Sequence, residues 1–319
     1  MTPERGLPGG GAGLNSRPSR KFRPFCAPFP AAAVAAVALA AALAVAAFPA
    51  TPSLAAPPSR PGVPSPAPPP PGVAVNSVGM EFALIPAGTF VMGDLEGEGD
   101  EAPLREVTIT RDYRLGRHEV TQSQFEFVTG RNPSLFEGPD NPVDSVSWED
   151  ANDFIARLNA IEGTAKYRLP TEAEWERAAR GGRNTAFFFG DDPSELASYD
   201  WVLSNSGGTT HPAGTRGEGP YGLYDVYGNV GEWTADRYGY SYYAESRRVA
   251  DPLGPPVGAE RSVRGGSRHD YPFHARAADR LGADPSAVPE EIRGSFGFRV
   301  AYFPEKVKKT LYSGAGEPR

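Results

Sequence analysis

Cysteine is almost missing. Cys26 is the one thiol in 319 residues, so a zinc site of four cysteines, or of two cysteines and two histidines, cannot be assembled, and neither can a cysteine dyad. Basic clusters are lacking in a chain of net charge −7. Nucleic acid is therefore not expected as a partner, because phosphate binding rests on grouped Lys and Arg. With 39% hydrophobic and 22% charged residues, the composition excludes a collagen-like chain, a coiled coil and a multi-span membrane protein. Internal repeats are absent, and after Gly182 no long stretch of helical periodicity is found.

What is present begins with a targeting pattern. Arg5, Arg17, Arg20, Lys21 and Arg23 precede an Ala/Val/Leu run from Ala31 to Ala47, followed by Ser53-Leu54-Ala55. That order predicts a signal peptide over residues 1–55, cleaved after Ala55, and an exported protein of the periplasm or extracellular space. An uncleaved membrane anchor is the alternative, and it is the one route to a membrane that the sequence offers. Cys26 lies ahead of the apolar run, where it is wrongly placed for a lipid anchor.

Residues 56–74 collapse to Pro, Ser, Gly and Ala around Pro68 to Pro71, the composition of a semi-rigid linker. A globular texture then runs over 75–304 and suits a single domain, and 305–319 reads as a polar tail. Without the leader the chain has no cysteine, so no disulfide restricts its unfolded state. Calcium, with its preference for oxygen ligands, is a reasonable ion for an acidic exported domain.

Within the domain, Phe82 to Ile85 and Thr89 to Met92 flank Pro86-Ala87-Gly88, which predicts a hairpin. Val107, Ile109 and Tyr113 alternate as in one strand. Thr121 caps a short helix ending at Gly130, Ser147 opens one that carries Ala151, Phe154, Ile155 and Leu158, and Thr171 opens a third that stops at Gly181. Short strands are expected at Arg261 to Arg264 and Gly297 to Tyr302.

Several groups of residues suggest chemistry. The acidic loop Asp94 to Glu101 imitates a calcium loop but has Arg105 at the twelfth position, where a bidentate Glu is required, so a solvated, mobile loop is expected. In Leu223 to Trp233, a turn at Gly228-Asn229 directs Asp225, the Gly228 and Val230 carbonyls and Glu232 toward one point, which is hard-cation chemistry. The alternative pairs Glu232 with an arginine. His269 and His274, with Asp270 or Asp279, have the composition of a two-histidine, one-carboxylate metal site, and iron is the ion that would suit it. His269, Asp270, His274 and Arg276 are the candidate catalytic groups, set against ordinary loop hydrogen bonding and, for Arg276 and Arg280, structural ion pairs. Tyr238, Tyr240, Tyr242 and Tyr243 form a candidate stacking surface for a ligand, or else pack the core. Ser267 is not in a Gly-x-Ser-x-Gly elbow, and His118 and His211 have no evident partner.

Taken in order, Ile85-Pro86-Ala87-Gly88-Thr89-Phe90-Val91-Met92-Gly93, Glu119-Val120-Thr121, Val146-Ser147-Trp148, Tyr167-Arg168-Leu169-Pro170-Thr171-Glu172-Ala173-Glu174-Trp175-Glu176, the Leu223 to Trp233 stretch, Arg264-Gly265-Gly266-Ser267 and Gly297-Phe298-Arg299 resemble the sulfatase-modifying factor family. Its founding member is the formylglycine-generating enzyme. The resemblance implies a C-type-lectin-like α+β fold with little regular secondary structure. It also implies a structural calcium at positions matching Asp225, Gly228, Val230 and Glu232. Oxidative members carry two copper-binding cysteines after the segment matching Gly265-Gly266-Ser267. Here Arg268 to Arg280 has none, which argues against copper-thiolate oxidation of sulfatases. Two functions stay open: a scaffold that binds a peptide, protein or glycan partner, or an enzyme of different mechanism, as in the family's cysteine-lacking members implicated in pyoverdine maturation.

Overall fold

The computed structural model describes residues 72–245, 248–286 and 293–304. The leader, its cleavage site, Cys26, the polyproline run and the polar tail lie outside the described residues. No described helix is long and apolar enough to cross a membrane.

The chain opens with β1 (Ala74–Val75), β2 (Glu81–Ile85), β3 (Gly88–Met92), β4 (Arg105–Ile109) and β5 (Tyr113–Gly116). Three helices follow: α1 (Gln122–Thr129), α2 (Trp148–Ile161) and, after β6 (Tyr167–Arg168), α3 (Glu172–Arg180). A single turn, α4 (Leu196–Tyr199), precedes β7 (Gly231–Arg237), β8 (Arg248–Ala250), β9 (Arg261–Arg264), β10 (Arg280–Ala283), β11 (Phe296–Gly297) and β12 (Ala301–Tyr302). These strands form three small sheets, in the orders β1-β2-β5-β12-β6, β10-β9-β7-β11 and β3-β4-β8.

Each long helix begins where its side chains satisfy the first free N–H groups. Thr121, Ser147 and Thr171 accept from the backbone N–H three residues on, and Gln124, Asp150 and Glu174 reach back to the cap N–H. Gly130 and Gly181 end α1 and α3 in the left-handed conformation.

The expected hairpin does not form. β2 pairs with β1 and β5, whereas β3 pairs with β4, so Pro86-Ala87-Gly88 carries the chain from one sheet to another. The guanidinium of Arg177 holds this crossing by donating to the Pro86 and Ala87 carbonyls, and a Cβ at Gly88 would sit 2.6 Å from Arg177 Nη2. The single strand expected around Val107 and Tyr113 is two strands, β4 and β5, in different sheets. The longest strand of the domain, β7, was not foreseen. Its seven residues are buried nearly throughout, so the alternation that marks a half-exposed strand is missing.

Two apolar clusters flank α3 and α2, one around Ile85, Val107, Tyr113, Trp175 and Tyr227, the other around Phe82, Phe125, Phe154, Trp233 and Phe298. Charge runs through this interior as well. Every residue of α3 is buried, including Glu172, Glu174, Glu176, Arg177 and Arg180. Glu176 accepts from Gly93 N (2.9 Å) and Arg180 Nε (2.8 Å) and pairs with Arg264 of β9. Burial works to raise the Glu172 carboxyl, but Arg280 and Arg264 override it and hold it at about 2.

Removing one partner of a buried ion pair costs about 3–5 kcal/mol because the remaining charge stays buried. Glu176→Gln is therefore expected to lower the melting temperature by roughly 10 °C, while Glu149→Gln on the exposed face of α2 leaves it unchanged. Thermal denaturation followed by circular dichroism measures both.

Candidate functional site

The segment after β9 forms one wall of a cleft. Gly265 makes the turn out of the strand with a φ of 74°, where a Cβ would lie 3.0 Å from the Val226 carbonyl oxygen and 3.1 Å from the Trp175 ring. Ser267, Asp270, His274 and Asp279 then face a cavity of about 300 Å³, closed on other sides by Glu98 and Phe296. Tyr271 and Phe273 stand exposed beside it.

Within that wall, Asp270 Oδ2 accepts from both Ser267 Oγ (2.6 Å) and Ser267 N (2.8 Å). His269 Nδ1 lies 3.1 Å from Ser267 Oγ and 3.4 Å from Ser295 Oγ, and burial lowers its pKa. The hydroxyl proton of Ser267 thus points to the carboxylate. A nucleophilic serine needs the opposite order, with its proton given to a histidine that the carboxylate orients. His274 faces Asp279 instead, Nδ1 to Oδ1 at 3.5 Å. The structure does not converge His269 and His274 on one carboxylate. Among the described residues no group of three or more His, Cys, Asp or Glu side chains is arranged to hold a metal.

Arg276 anchors the two ends of the acidic loop, so the expected solvated loop is found only in part: Leu95, Glu96 and Glu98 are exposed, but Asp100 and Glu101 are not. Its guanidinium grips Glu101 through two hydrogen bonds of 2.6 and 2.7 Å and reaches Asp94 at 3.0 Å. Arg280 likewise donates to the Asp100 carbonyl and pairs with Glu172 at 2.7 Å. Asp100 and Glu101 are almost completely buried as a result. The sequence pointed to structural ion pairs for Arg276 and Arg280, as found, but not to their partners, which lie about 180 positions away.

Burial, reinforced by Glu101 and opposed by His274 and Arg276, pushes the Asp279 carboxyl up to about 7. Of the tyrosines, Tyr243 is wholly buried against Arg280 and Arg105, and Tyr238 donates to Asp100 at 2.7 Å. Tyr242 is partly buried, and Tyr240 at 62% exposure is the one of the four that faces solvent.

The Leu223 to Trp233 stretch does gather oxygen ligands. Asp225 and Asn229 both take positive φ, which aims their side chains inward. Asp225 Oδ2 accepts from Gly214 N at 2.6 Å, and its Oδ1 is buried without a hydrogen-bond partner. Asp200, which sequence analysis did not select, has Oδ2 in the same condition. Glu232 is engaged on both oxygens, by Arg299 at 2.5 and 2.6 Å and by Trp175 Nε1 at 2.8 Å. Burial first, and neighbouring acids second, raise Glu119 and Asp200. Burial likewise raises Asp225 to about 6, with Glu232 adding. Glu119 stood in a resemblance block without an assigned role and Asp200 in none; only the fold brings them near Asp225. The two unassigned histidines also find partners: His211 stacks on Trp201 at 3.7 Å and His118 on Tyr224 at 5.0 Å.

An α+β domain with three small sheets hung on a charged central helix is the fold of the formylglycine-generating enzyme. Two solved structures share it: Treponema denticola variable protein 1 (TM-score 0.66, 28% identity, covering 72% of this chain and 98% of that one) and PvdO from Pseudomonas aeruginosa (TM-score 0.64, 28% identity, 75% and 100%). The chain belongs to the sulfatase-modifying factor family, since the Sulfatase-modifying factor enzyme 1-like domain matches residues 73–303. Its relatives include the serine/threonine-protein kinase pkn1 of Chlamydia pneumoniae, 31% identical over 69% of this chain and 38% of the kinase. The formylglycine-generating enzyme of Streptomyces coelicolor is 37% identical over 54% of each chain. The chaperone protein LppX of Paenibacillus barcinonensis is 34% identical over 40% of this chain and 63% of its own. The chain thus spans about two fifths of the kinase and about half of the bacterial enzyme.

The raised Asp279 carboxyl sets a pH dependence. The folded state binds this proton up to about pH 7 and the unfolded state releases it near pH 4, so the group's contribution falls as pH rises between those values. Asp279→Asn removes that loss. The melting temperature of the variant, relative to the parent, is expected to climb from about pH 4 to about pH 7 and then level off, and a difference flat throughout would contradict the assignment.

Proposed function

We propose that this domain is an exported binding and assembly module whose cleft, between the Ser267 to Asp279 wall and the Glu98 loop, holds a segment of a peptide or glycan partner. One observation carries this reading. The cleft is open, and Tyr271 and Phe273 of its wall segment are exposed, yet Ser267 within it is committed to Asp270, and Arg276 behind the wall to Glu101. No cysteine stands anywhere in residues 72–304 to supply thiolate chemistry. The relationship to a protein named as a chaperone supports an assembly role, and the leader pattern supports export.

A second reading, an enzyme acting on a peptide, draws on the likeness to PvdO and on the Asp279–His274 pair, where a carboxyl titrating near 7 faces the cavity. Peptide and glycan arrays probed with the purified protein, together with mass spectrometry of the retained ligands, separate the two. Retention that weakens ten-fold or more in Tyr271→Ala or Phe273→Ala, with unchanged ligand mass, supports the module. A mass change in the ligand that disappears in Asp279→Asn supports the enzyme.

Calcium is a separate part of the proposal. Buried carboxylate oxygens without partners, Asp225 Oδ1 and Asp200 Oδ2, are what a cation would satisfy, and the Gly228 and Val230 carbonyls share that turn. Glu232, already paired with Arg299, contributes charge to the surroundings of such an ion. Added calcium is expected to raise the melting temperature over that in chelator. Asp225→Asn should raise the chelated value and erase the calcium response, whereas Glu232→Ala should lower the melting temperature under both conditions by stranding Arg299. Equal melting of the parent with calcium and with chelator would remove the ion.

A further inference from the structure

The charge balance of the cleft points to the kind of partner it fits, an inference that rests on the binding reading above. Three carboxylates border the cavity: Glu98 on the loop, Asp270 beside Ser267, and Asp279 at the entry to β10. The one guanidinium among the lining residues, Arg280, is used up by Glu172, to which it donates at 2.7 and 3.0 Å. Arg276, behind the wall, is spent on Glu101. His274 is the remaining basic group, half exposed at the mouth and 3.5 Å from Asp279. Three carboxylates thus face one half-exposed imidazole and one guanidinium already engaged by Glu172, and the lining carries an excess of acidic groups.

Asp279 makes this more than a group of surface acids. It is 8% exposed, and its nearest cationic atoms among the described residues, His274 Nδ1 and Arg276 Nη2, are both 3.5 Å from Oδ1. That is longer than a charge-assisted hydrogen bond of 2.7–2.9 Å. A carboxylate so placed, lining an open cavity and held by two long ion pairs but by no hydrogen bond from a described residue, has room for a closer donor. Asp270 is placed similarly at the other end of the wall: Oδ2 is taken by Ser267, and no hydrogen bond to Oδ1 is found among the described residues. Burial and the neighbouring Glu101 already lift the Asp279 carboxyl to about 7, so an arriving cation would relieve it. Around this floor, Tyr271, Phe273 and Leu281 are exposed. They offer apolar and aromatic surface on which the alkyl stem of a long basic side chain, or its neighbours in a peptide, can lie.

We propose that the cleft binds an extended peptide through a lysine or arginine side chain, whose ammonium or guanidinium group takes hydrogen bonds to Asp279 and Asp270 while flanking residues lie on Tyr271 and Phe273. The long aliphatic stem is needed to carry the charge past the exposed rim to a carboxylate that lies below it. Glu98 adds charge from the opposite side, and Arg276, by fixing Glu101, keeps the Glu98 loop in place.

The test is a heptapeptide library whose central residue is fixed as Lys, Arg, Nε-acetyl-lysine, norleucine or Glu, with the other positions randomised, passed over the immobilised full chain. At least ten-fold greater retention of the Lys and Arg sets than of the acetyl-lysine, norleucine and Glu sets supports the proposal. So does loss of that preference in the Asp279→Asn, Asp270→Asn double variant, provided the variant melts cooperatively within a few degrees of the parent. Equal retention of all five sets would overturn the cation assignment and leave the binding module intact. No retention of any set would overturn the peptide reading itself. Spermidine separates the two sources of ammonium: if it binds while no library set is retained, the site serves free polyamines and the peptide assignment falls. Arg276→Lys, which keeps charge but loses the two-pronged grip on Glu101, should weaken Lys-set retention without changing which central residue is preferred.

Discussion

The salt bridges along α3 are the constraint on which the rest of the domain depends. This helix has almost no exposed side, yet it carries five charged residues in nine positions, so each charge must meet a partner brought by another element. Glu172 meets Arg280 of β10, Glu176 meets Arg264 of β9 and the Gly93 amide just past β3, and Glu174 meets Arg168 of β6. Arg177 binds the carbonyls of the crossing between β2 and β3. All three sheets are thereby referred to one helix. In a domain whose strands are two to seven residues long, such fixed, directional pairs do the positioning that long ladders perform elsewhere.

A second buried network, around Arg299, is balanced differently. Arg299 binds both oxygens of Glu232 and donates to the Gly116 and Tyr224 carbonyls, but Glu119, Asp200 and Asp225 are buried in the same field. One guanidinium cannot neutralise four carboxylates. Burial first, and the excess of acids second, raise the carboxyls of Glu119, Asp200 and Asp225: the site gains by holding a proton or by admitting a cation. The contrast with α3 is informative, because there the acids and bases are matched, and Glu172 is held down at about 2 despite complete burial.

Much of this was legible in the sequence wherever the cause is local. Thr121, Ser147 and Thr171 declared three helices because a capping box works within four residues, and Gly130 and Gly181 marked two ends for the same reason. The family resemblance supplied the fold that periodicity could not. What stayed hidden depends on separation. Pro86-Ala87-Gly88 reads as a hairpin turn in any local window, and only Arg177 reveals it as a crossing. β7 lacked alternation because both of its faces are covered. The acidic loop looked solvated because Arg276, which buries Glu101, lies 175 residues away. At the candidate site, Asp270 and His274 line the cavity while His269 and Arg276 do not, and the roles of Glu98 and Asp279 emerge only once the loop is folded against the wall.

That wall is where the α3 network and the cleft meet. Arg264 donates to the Ala277 and Ala278 carbonyls and pairs with Glu176, so the segment from Ser267 to Asp279 is held from beneath by the same charges that organise α3. Support of this kind fixes a surface without providing a reactive group, since the Nη groups of Arg264 and the guanidinium of Arg276 are engaged by carboxylates and carbonyls. The positive charge of the region is consumed in building the wall, and the acids that face outward are left over. A fold that loses its thiolates but keeps this scaffold retains a rigid, negatively charged recess. In the binding reading proposed above, rigid placement lowers the entropy cost of capturing a partner, and the acids left on the wall select it.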